Sequence, residues 1–181
     1  GDDILSEKVK KEIFEWIKVF ALAIVFAFVI TQFIKPTLVR GDSMYSTLEE
    51  GDYLIINRMS YKFGEPKRGD IIVFESDLQQ DDGTNKDLVK RVIGVSGDTI
   101  KIKDSKVYVN GKELNEPYIH DEITEGDIDT VVPENSVFVL GDNREISLDS
   151  RYEQVGFINE SDILGKVFVR LYPFNKIGLL D

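Results

Sequence analysis

The sequence predicts a mainly β body carried on a single N-terminal membrane-spanning helix. Three observations lead there: an uncharged apolar run near the N-terminus, a change after Pro36 to short β-rich runs split by turn signals, and no repeat at a solenoid period. A chain of 181 residues accommodates one domain plus an anchor and a small appendage. Its 42% hydrophobic and 30% charged content is enough to bury a core.

The anchor comes first. From Val19 to Ile34 the chain reads VFALAIVFAFVITQFI, with no charge between Lys18 and Lys35. The run is apolar on every face, unlike an amphipathic surface helix with its single apolar stripe. It is shorter than the ~20 residues that cross a bilayer. Trp16 and Ile17 extend it, however, and Lys18 and Lys35 can snorkel toward the headgroups. A buried core helix is the competing reading by length alone. A cleaved signal peptide would carry small residues at alternating positions after the run, where the chain instead continues TQFIKPTLVRGD. An uncleaved signal anchor is therefore expected, and Gly1 in place of Met suggests a trimmed or tagged chain. Lys8, Lys10, Lys11 and Lys18 outnumber Lys35 and Arg40 across the run, so the positive-inside bias places the N-terminus in the cytoplasm and the remainder outside. The expected division is 1–36 for tail and anchor and 37–181 for an extracytoplasmic domain.

In that domain Tyr53–Asn57, Asp70–Glu75, Leu88–Val95, Thr99–Lys103, Lys106–Asn110, Ser136–Gly141 and Gly165–Pro173 read as strands. DSK (Asp104–Lys106) and NGKE (Asn110–Glu113) read as hairpin turns, the second with Asn-Gly where φ must be positive, and Glu49–Asp52 is a further turn. Ser76–Asp87 is polar and is expected to be a mobile loop. The region 100–133 alternates strands with acidic loops and is expected to form a small β lobe inserted into the main body. The acidic stretch Asp121–Thr130 within it has no assigned function.

Composition removes several classes of function. Net charge is −11, from 33 acidic and 22 basic residues, which leaves no basic footprint for nucleic acid. There are no cysteines, so thiolate chemistry, disulfides and Cys-based metal sites are excluded. The single histidine, His120, makes a multi-histidine metal site impossible. It lies in the polar segment NEPYIHDEITEGD, where an exposed loop histidine is the favoured reading. No metal and no cofactor is expected, and hydrolytic chemistry would have to run without histidine.

Arg40–Asp52, RGDSMYSTLEEGD, sets a small hydroxyl and a methionine between two Gly-Asp turns just after the apolar run. Ser43 is either an incidental strand-end residue or a nucleophile held at the lipid surface, and the second reading requires a base elsewhere. That base is a carboxylate or a lysine. A lysine serves only when neutral, with its pKa lowered from ~10.4 by burial or a nearby cation. Lys62, Lys67, Lys86 and Lys112 stand in polar surroundings. Lys90, in DLVKRVIGVSGD, stands in an apolar strand that places it on the face of Leu88 and Val92, with Arg91 on the face of Val89 and Ile93. One face thus buries a lysine, and the adjacent cation disfavours its protonation; a lysine that blocks pairing at a sheet edge is the alternative of equal weight. A third stretch, Leu140–Gly156, packs Asp142, Asn143, Arg144, Ser147, Asp149, Ser150 and Arg151 into one turn-rich segment. It suits a loop whose groups satisfy each other around a site, or a solvated loop with local Asp-Arg pairs.

With GDSMYSTL, GDYLIINR, RGDIIVF, KRVIGVSGD and GDNREISLDSR in this order, the sequence resembles the bacterial type I signal peptidases of the short, single-anchor Gram-positive kind, over nearly its whole length. The resemblance implies an all-β catalytic body with a serine-lysine dyad, no cofactor, a phospholipid membrane as its setting and preproteins as substrates, cleaved after small residues at Ala-X-Ala sites. By that resemblance Ser43 is the nucleophile and Lys90 the base, and the Ser43 backbone N–H is the first oxyanion donor. The hydroxyl that some relatives carry two residues before the nucleophile is replaced here by Gly41. Ser147 would hydrogen-bond the Lys90 amine, and Asp149 with Arg151 would brace the loop, with Arg91, Asp142 and Asn143 in support. Val39, Met44 and Val89 would line the substrate pockets. Three positions depart from the family pattern: Ser46 and Ser96 stand where proline is usual, and Glu145 replaces a more usual aspartate or arginine. They leave room for a specialised or non-catalytic member that assists assembly of surface proteins such as pilins. A self-cleaving repressor of related chemistry would need a DNA-binding head where this chain has an anchor.

Overall fold

The computed structural model describes residues 2–120 and 123–180. It divides into two compact units, Gly1–Ile34 and Lys35–Asp181. The first is a helix, α1, over Asp2–Phe33. At ~1.5 Å per residue its 32 residues reach about 48 Å, more than the ~30 Å of bilayer hydrocarbon. Every side chain from Ser6 to Phe33 is exposed, as no core helix would be, and this stretch is long and apolar enough to cross a membrane. Ion pairs Lys10–Glu7 and Lys18–Glu15 occupy its polar end. The helix stops before Pro36, whose ring disfavours helical backbone at the residue preceding it.

Twelve strands follow among the described residues: β1 Ile34–Leu38, β2 Tyr53–Asn57, β3 Ile71–Gln79, β4 Asn85–Gly94, β5 Thr99–Lys103, β6 Lys106–Val109, β7 Lys112–Glu113, β8 Ile128–Val131, β9 Ser136–Leu140, β10 Ile158–Asn159, β11 Ile163–Tyr172 and β12 Gly178–Leu179. Eight of them form one sheet in the order β1-β2-β11-β3-β4-β9-β10, with β12 on β11. The other four form a second sheet, β7-β6-β5-β8, which is the small lobe expected between 100 and 133. The fold is mainly β with one apolar helix, as the sequence predicts. The acidic stretch Asp121–Thr130 is described only from Ile123 onward, where it leads into β8.

The structure departs from the strand reading most at Ser76–Asp87. Ser76–Asp87 is not a loop: β3 and β4 run on through it as a hairpin, with Glu75 paired to Asp87 and Gln79 to Asn85 around a bulge. Ser76 is buried and its Oγ donates to the Lys86 carbonyl at 2.6 Å, while the turn closes at Gln80–Thr84. The ladder satisfies the backbone whatever the side chains are, so a polar composition alone misread this stretch. Five further strands, β1, β7, β8, β10 and β12, were not expected: β7, β10 and β12 have only two residues each, and β1 and β8 lie beside the apolar run and the acidic stretch.

Two apolar clusters fill the main sheet, one around Met44, Leu48, Ile56 and Val73, the other around Ile72, Phe74, Val92 and Val139. A third joins the small lobe to β4 and β9 through Ile93, Ile100, Ile102 and Phe138. Gly94 permits that junction: a Cβ there would lie 2.5 Å from Ile100 Cδ1.

Candidate active site

Three elements converge on one point. The first is the turn after β1. Val39 N–H donates to the Asp52 carbonyl and Gly51 N–H to the Val39 carbonyl, closing Arg40–Glu50 into a loop. Met44 and Leu48 sink into the core beneath it, which leaves Ser43 half-buried at its surface. Gly41 supplies the positive φ (+74°) at the entry to this turn. The Tyr45–Ser46 peptide bond is cis, at the position where the family usually has proline. Ser96, the other such position, is the second residue of a Val95–Asp98 turn, a place proline also suits.

The second element is β4. Its antiparallel register sets Lys90 opposite Ile72 and beside Val92, both fully buried, so Lys90 is only 2% exposed. Its Nζ donates to Ser43 Oγ at 2.7 Å and to the Val89 carbonyl at 3.1 Å. Burial lowers the Lys90 pKa from 10.5 to about 8; Asp149 and Asp142 oppose that shift and Lys86 adds to it. The cation expected to depress it was Arg91, and here the structure corrects the sequence reading. Arg91 gives both Nε and Nη2 to Asp142, at 2.8 and 2.7 Å, so its charge is neutralised where it stands.

A buried amine of this kind costs stability whenever it is charged. Because its pKa is lowered, the unfolded chain binds the extra proton between about pH 8 and 10.5, and stability from this group rises with pH across that window. Lys90→Met is therefore expected to stabilise the fold below pH 8 by on the order of 3 kcal/mol, an advantage that vanishes above about pH 10.5. Denaturant unfolding of both forms at pH 6.5 and pH 11 checks this; an equal gain at both pH values would refute it.

The third element is the loop after β9. Asn143 N–H donates to the Ser43 carbonyl at 3.0 Å and its side-chain amide to the Asp42 carbonyl at 3.1 Å, which ties this loop to the Ser43 turn. Asp149 is fully buried, accepts from Gly141 N–H at 3.1 Å and pairs with Arg151 Nε at 2.8 Å and Nη2 at 3.0 Å. Ser150 Oγ accepts from Val139 N–H. Ser147 differs from expectation. It lies in the same cluster, 2% exposed, but makes no bond to Lys90, and its Oγ is a buried side-chain atom without a hydrogen-bond partner among the described residues. Its side chain packs against Gly141, where a Cβ would come within 2.5 Å of Ser147 Cβ and of the Ser43 carbonyl. Only glycine allows that approach.

A groove of about 510 Å³ runs past Ser43 and Lys90. Leu38, Val39, Met44, Val89, Ile146 and Leu148 give it apolar walls, so all three residues expected in a substrate pocket line it. Met44 and Val39 are almost wholly buried and form its floor. A cavity of about 570 Å³ in the small lobe, around Lys106, Glu113 and Glu116, contains none of the residues of the Ser43 cluster. His120 is exposed, its ring edge-on to Tyr45. Among the described residues no three His, Asp or Glu side chains stand together as a metal site requires.

Sequence reasoning missed Thr47, which donates to Asp142, and the small-lobe residues Glu116, Tyr118 and Thr124, which reach Arg144 and Arg91. Nothing local marks them, because their partners are 20 to 95 residues distant in the chain.

A hydroxyl in contact with a buried amine of lowered pKa is the equipment of a serine hydrolase whose base is lysine. The chain belongs to the signal peptidase family, peptidase S26, whose model matches residues 13–172, and it is a membrane-anchored serine endopeptidase that removes signal peptides. It is 39% identical over 186 residues to signal peptidase IB of Staphylococcus aureus (strain COL), covering 92% of this chain and 93% of that one. It is 38% identical over 187 residues to signal peptidase I of Bacillus licheniformis, covering 97% of each. A crystal structure of a signal peptidase I from Enterococcus faecalis V583 is 33% identical, with a TM-score of 0.47 over 57% of this chain and 97% of that one.

Proposed function

We propose that Ser43 and Lys90 form the dyad of this peptidase and cut exported preproteins after small residues. One observation carries the reading: Lys90 Nζ lies 2.7 Å from Ser43 Oγ inside apolar packing. Neutral Lys90 accepts the Ser43 proton as Oγ attacks the scissile carbonyl, and the ammonium then protonates the leaving amine. An acyl-enzyme remains on Ser43. Lys90, neutral again, takes a proton from water as that water attacks the ester, and returns it to Ser43 Oγ. The Ser43 backbone N–H donates to the oxyanion. The unpartnered Ser147 hydroxyl accepts from the Lys90 ammonium when the proton resides there, and Arg151, paired with Asp149, steadies the residue by donating to the Ser147 carbonyl.

Val39, Met44 and Val89 shape the pockets that admit small side chains, with the substrate's extended backbone lying in the groove. The positive-inside bias of Lys8, Lys10, Lys11 and Lys18 places the N-terminus in the cytoplasm and this groove on the outer face. The test is cleavage of a preprotein with an Ala-X-Ala site by the purified full chain in detergent. Because the base must be neutral, kcat/KM is expected to rise about tenfold per pH unit and level off above about pH 8. A profile flat from pH 6 to 9 would exclude Lys90 as the base.

A further inference from the structure

We propose that Glu116 and Thr124, carried by the small lobe, are positioning residues for this peptidase, acting through Arg144 on the loop that holds Ser147 and Asp149 against Ser43 and Lys90. The inference rests on the proposed dyad and gives the inserted lobe a part in the reaction.

Arg144 is 3% exposed and shares its guanidinium between two elements. Its Nε donates to the Gly141 carbonyl at 2.9 Å, within the loop. Its Nη1 donates to Glu116 Oε2 at 2.9 Å and to Thr124 Oγ1 at 2.5 Å, and its Nη2 to Glu116 Oε1, all in the lobe. Gly141 is the residue wedged against the Ser43 carbonyl and the Ser147 side chain, so whatever holds its carbonyl sets how the loop meets the Ser43 turn. Arg151 repeats the pattern: Nη2 donates to the Arg144 carbonyl at 2.8 Å while Nη1 donates to the Glu125 carbonyl at 3.2 Å. Tyr118 lays its ring over the Arg91 guanidinium at 3.9 Å and donates its phenol hydrogen to Glu116 at 3.2 Å. The same stretch is fastened to its own lobe, since Thr124 N–H donates to the Ser105 carbonyl.

The lobe therefore meets the loop through buried, charge-assisted bonds, the strongest kind available and the costliest to leave half-made. Without the Glu116 carboxylate, a buried guanidinium has no counter-ion and must move toward water. That movement draws Nε from the Gly141 carbonyl and loosens the support beneath the dyad. None of Glu116, Tyr118, Thr124 and Glu125 lines the groove, so substrate binding should be spared while the chemical step suffers.

The experiment measures kcat, KM and the unfolding midpoint for the full chain in detergent, for wild type, Ser43→Ala, Glu116→Gln, Glu116→Asp and Thr124→Val. Wild type must cleave and Ser43→Ala must not; failure of that pair rejects the dyad and is read separately. Given that pair, Glu116→Gln is expected to lower kcat by about 10-fold or more with KM changed less than about twofold, from a fold still intact at the assay temperature. Glu116→Asp, which keeps the charge, is expected to recover most of the rate. Unchanged kcat in Glu116→Gln overturns the proposal, as does a rise confined to KM or an equal loss in Glu116→Asp. If Glu116→Gln is unfolded at that temperature, Thr124→Val decides: a lowered kcat at unchanged KM supports the relay, and a wild-type kcat rejects it.

Discussion

Ser43→Ala and Lys90→Ala are each expected to lower kcat/KM for an Ala-X-Ala preprotein by at least about 10⁴-fold, and the double variant to be no worse than either alone. Residues that act as one unit do not contribute additively: once the nucleophile is gone, a base has nothing to deprotonate. Lys90→Arg is expected to fail as completely, because a guanidinium cannot release its proton near neutral pH. The three single variants differ in what they do to the fold. Ser43 is half-buried and loses one hydrogen bond, so Ser43→Ala should unfold close to wild type. Lys90→Arg must bury a larger permanent charge in the apolar site between Ile72 and Val92, and should be the least stable. Time courses at matched folded fractions read the chemistry alone, and wild-type rates in all three would end the dyad reading.

Asp142→Ala is expected to destabilise the protein by about 3–5 kcal/mol, the cost of leaving a buried guanidinium without its partner. Asp142 is fully buried and accepts from Arg91 Nε, Arg91 Nη2 and Thr47 Oγ1, so one truncation breaks three bonds. The bonds cross from β4 to the loop after β9 and to the Ser43 turn, so activity should fall with stability. Arg91→Met combined with Asp142→Leu is expected to recover much of the lost stability, since neither residue then buries an unmatched charge. Urea unfolding of the single and double variants checks both statements; a single variant as stable as wild type would show that Arg91 finds another counter-charge.

The parts of the site written in local patterns were readable before any fold was known. Ser43 stands between turn residues, and Lys90 interrupts an apolar strand, an arrangement that burial makes chemically useful. The loop Leu140–Gly156 carries so many short polar side chains that mutual satisfaction is its simplest explanation. Arg91 was misjudged because adjacency along the chain says nothing of what an arginine pairs with across it. Ser147 falls in the expected cluster, but its Oγ has no hydrogen-bond partner among the described residues, and the packing of Gly141 against it is a through-space fact that no local pattern carries. The polar hairpin Ser76–Asp87 was misread for a similar reason: ladder hydrogen bonds leave no mark in side-chain composition.

Local periodicity and the order of five motifs along the chain already point to the apolar helix, the β class and the family, and they single out Ser43 and Lys90 as candidates, because each motif is written in a few consecutive residues. The tertiary structure alone decides that Lys90 meets Ser43, that Asp142 silences Arg91, and that the small lobe reaches Arg144. Those contacts join residues 28 to 51 positions apart, and only the pairing of strands and the closing of loops brings them within a hydrogen bond of each other.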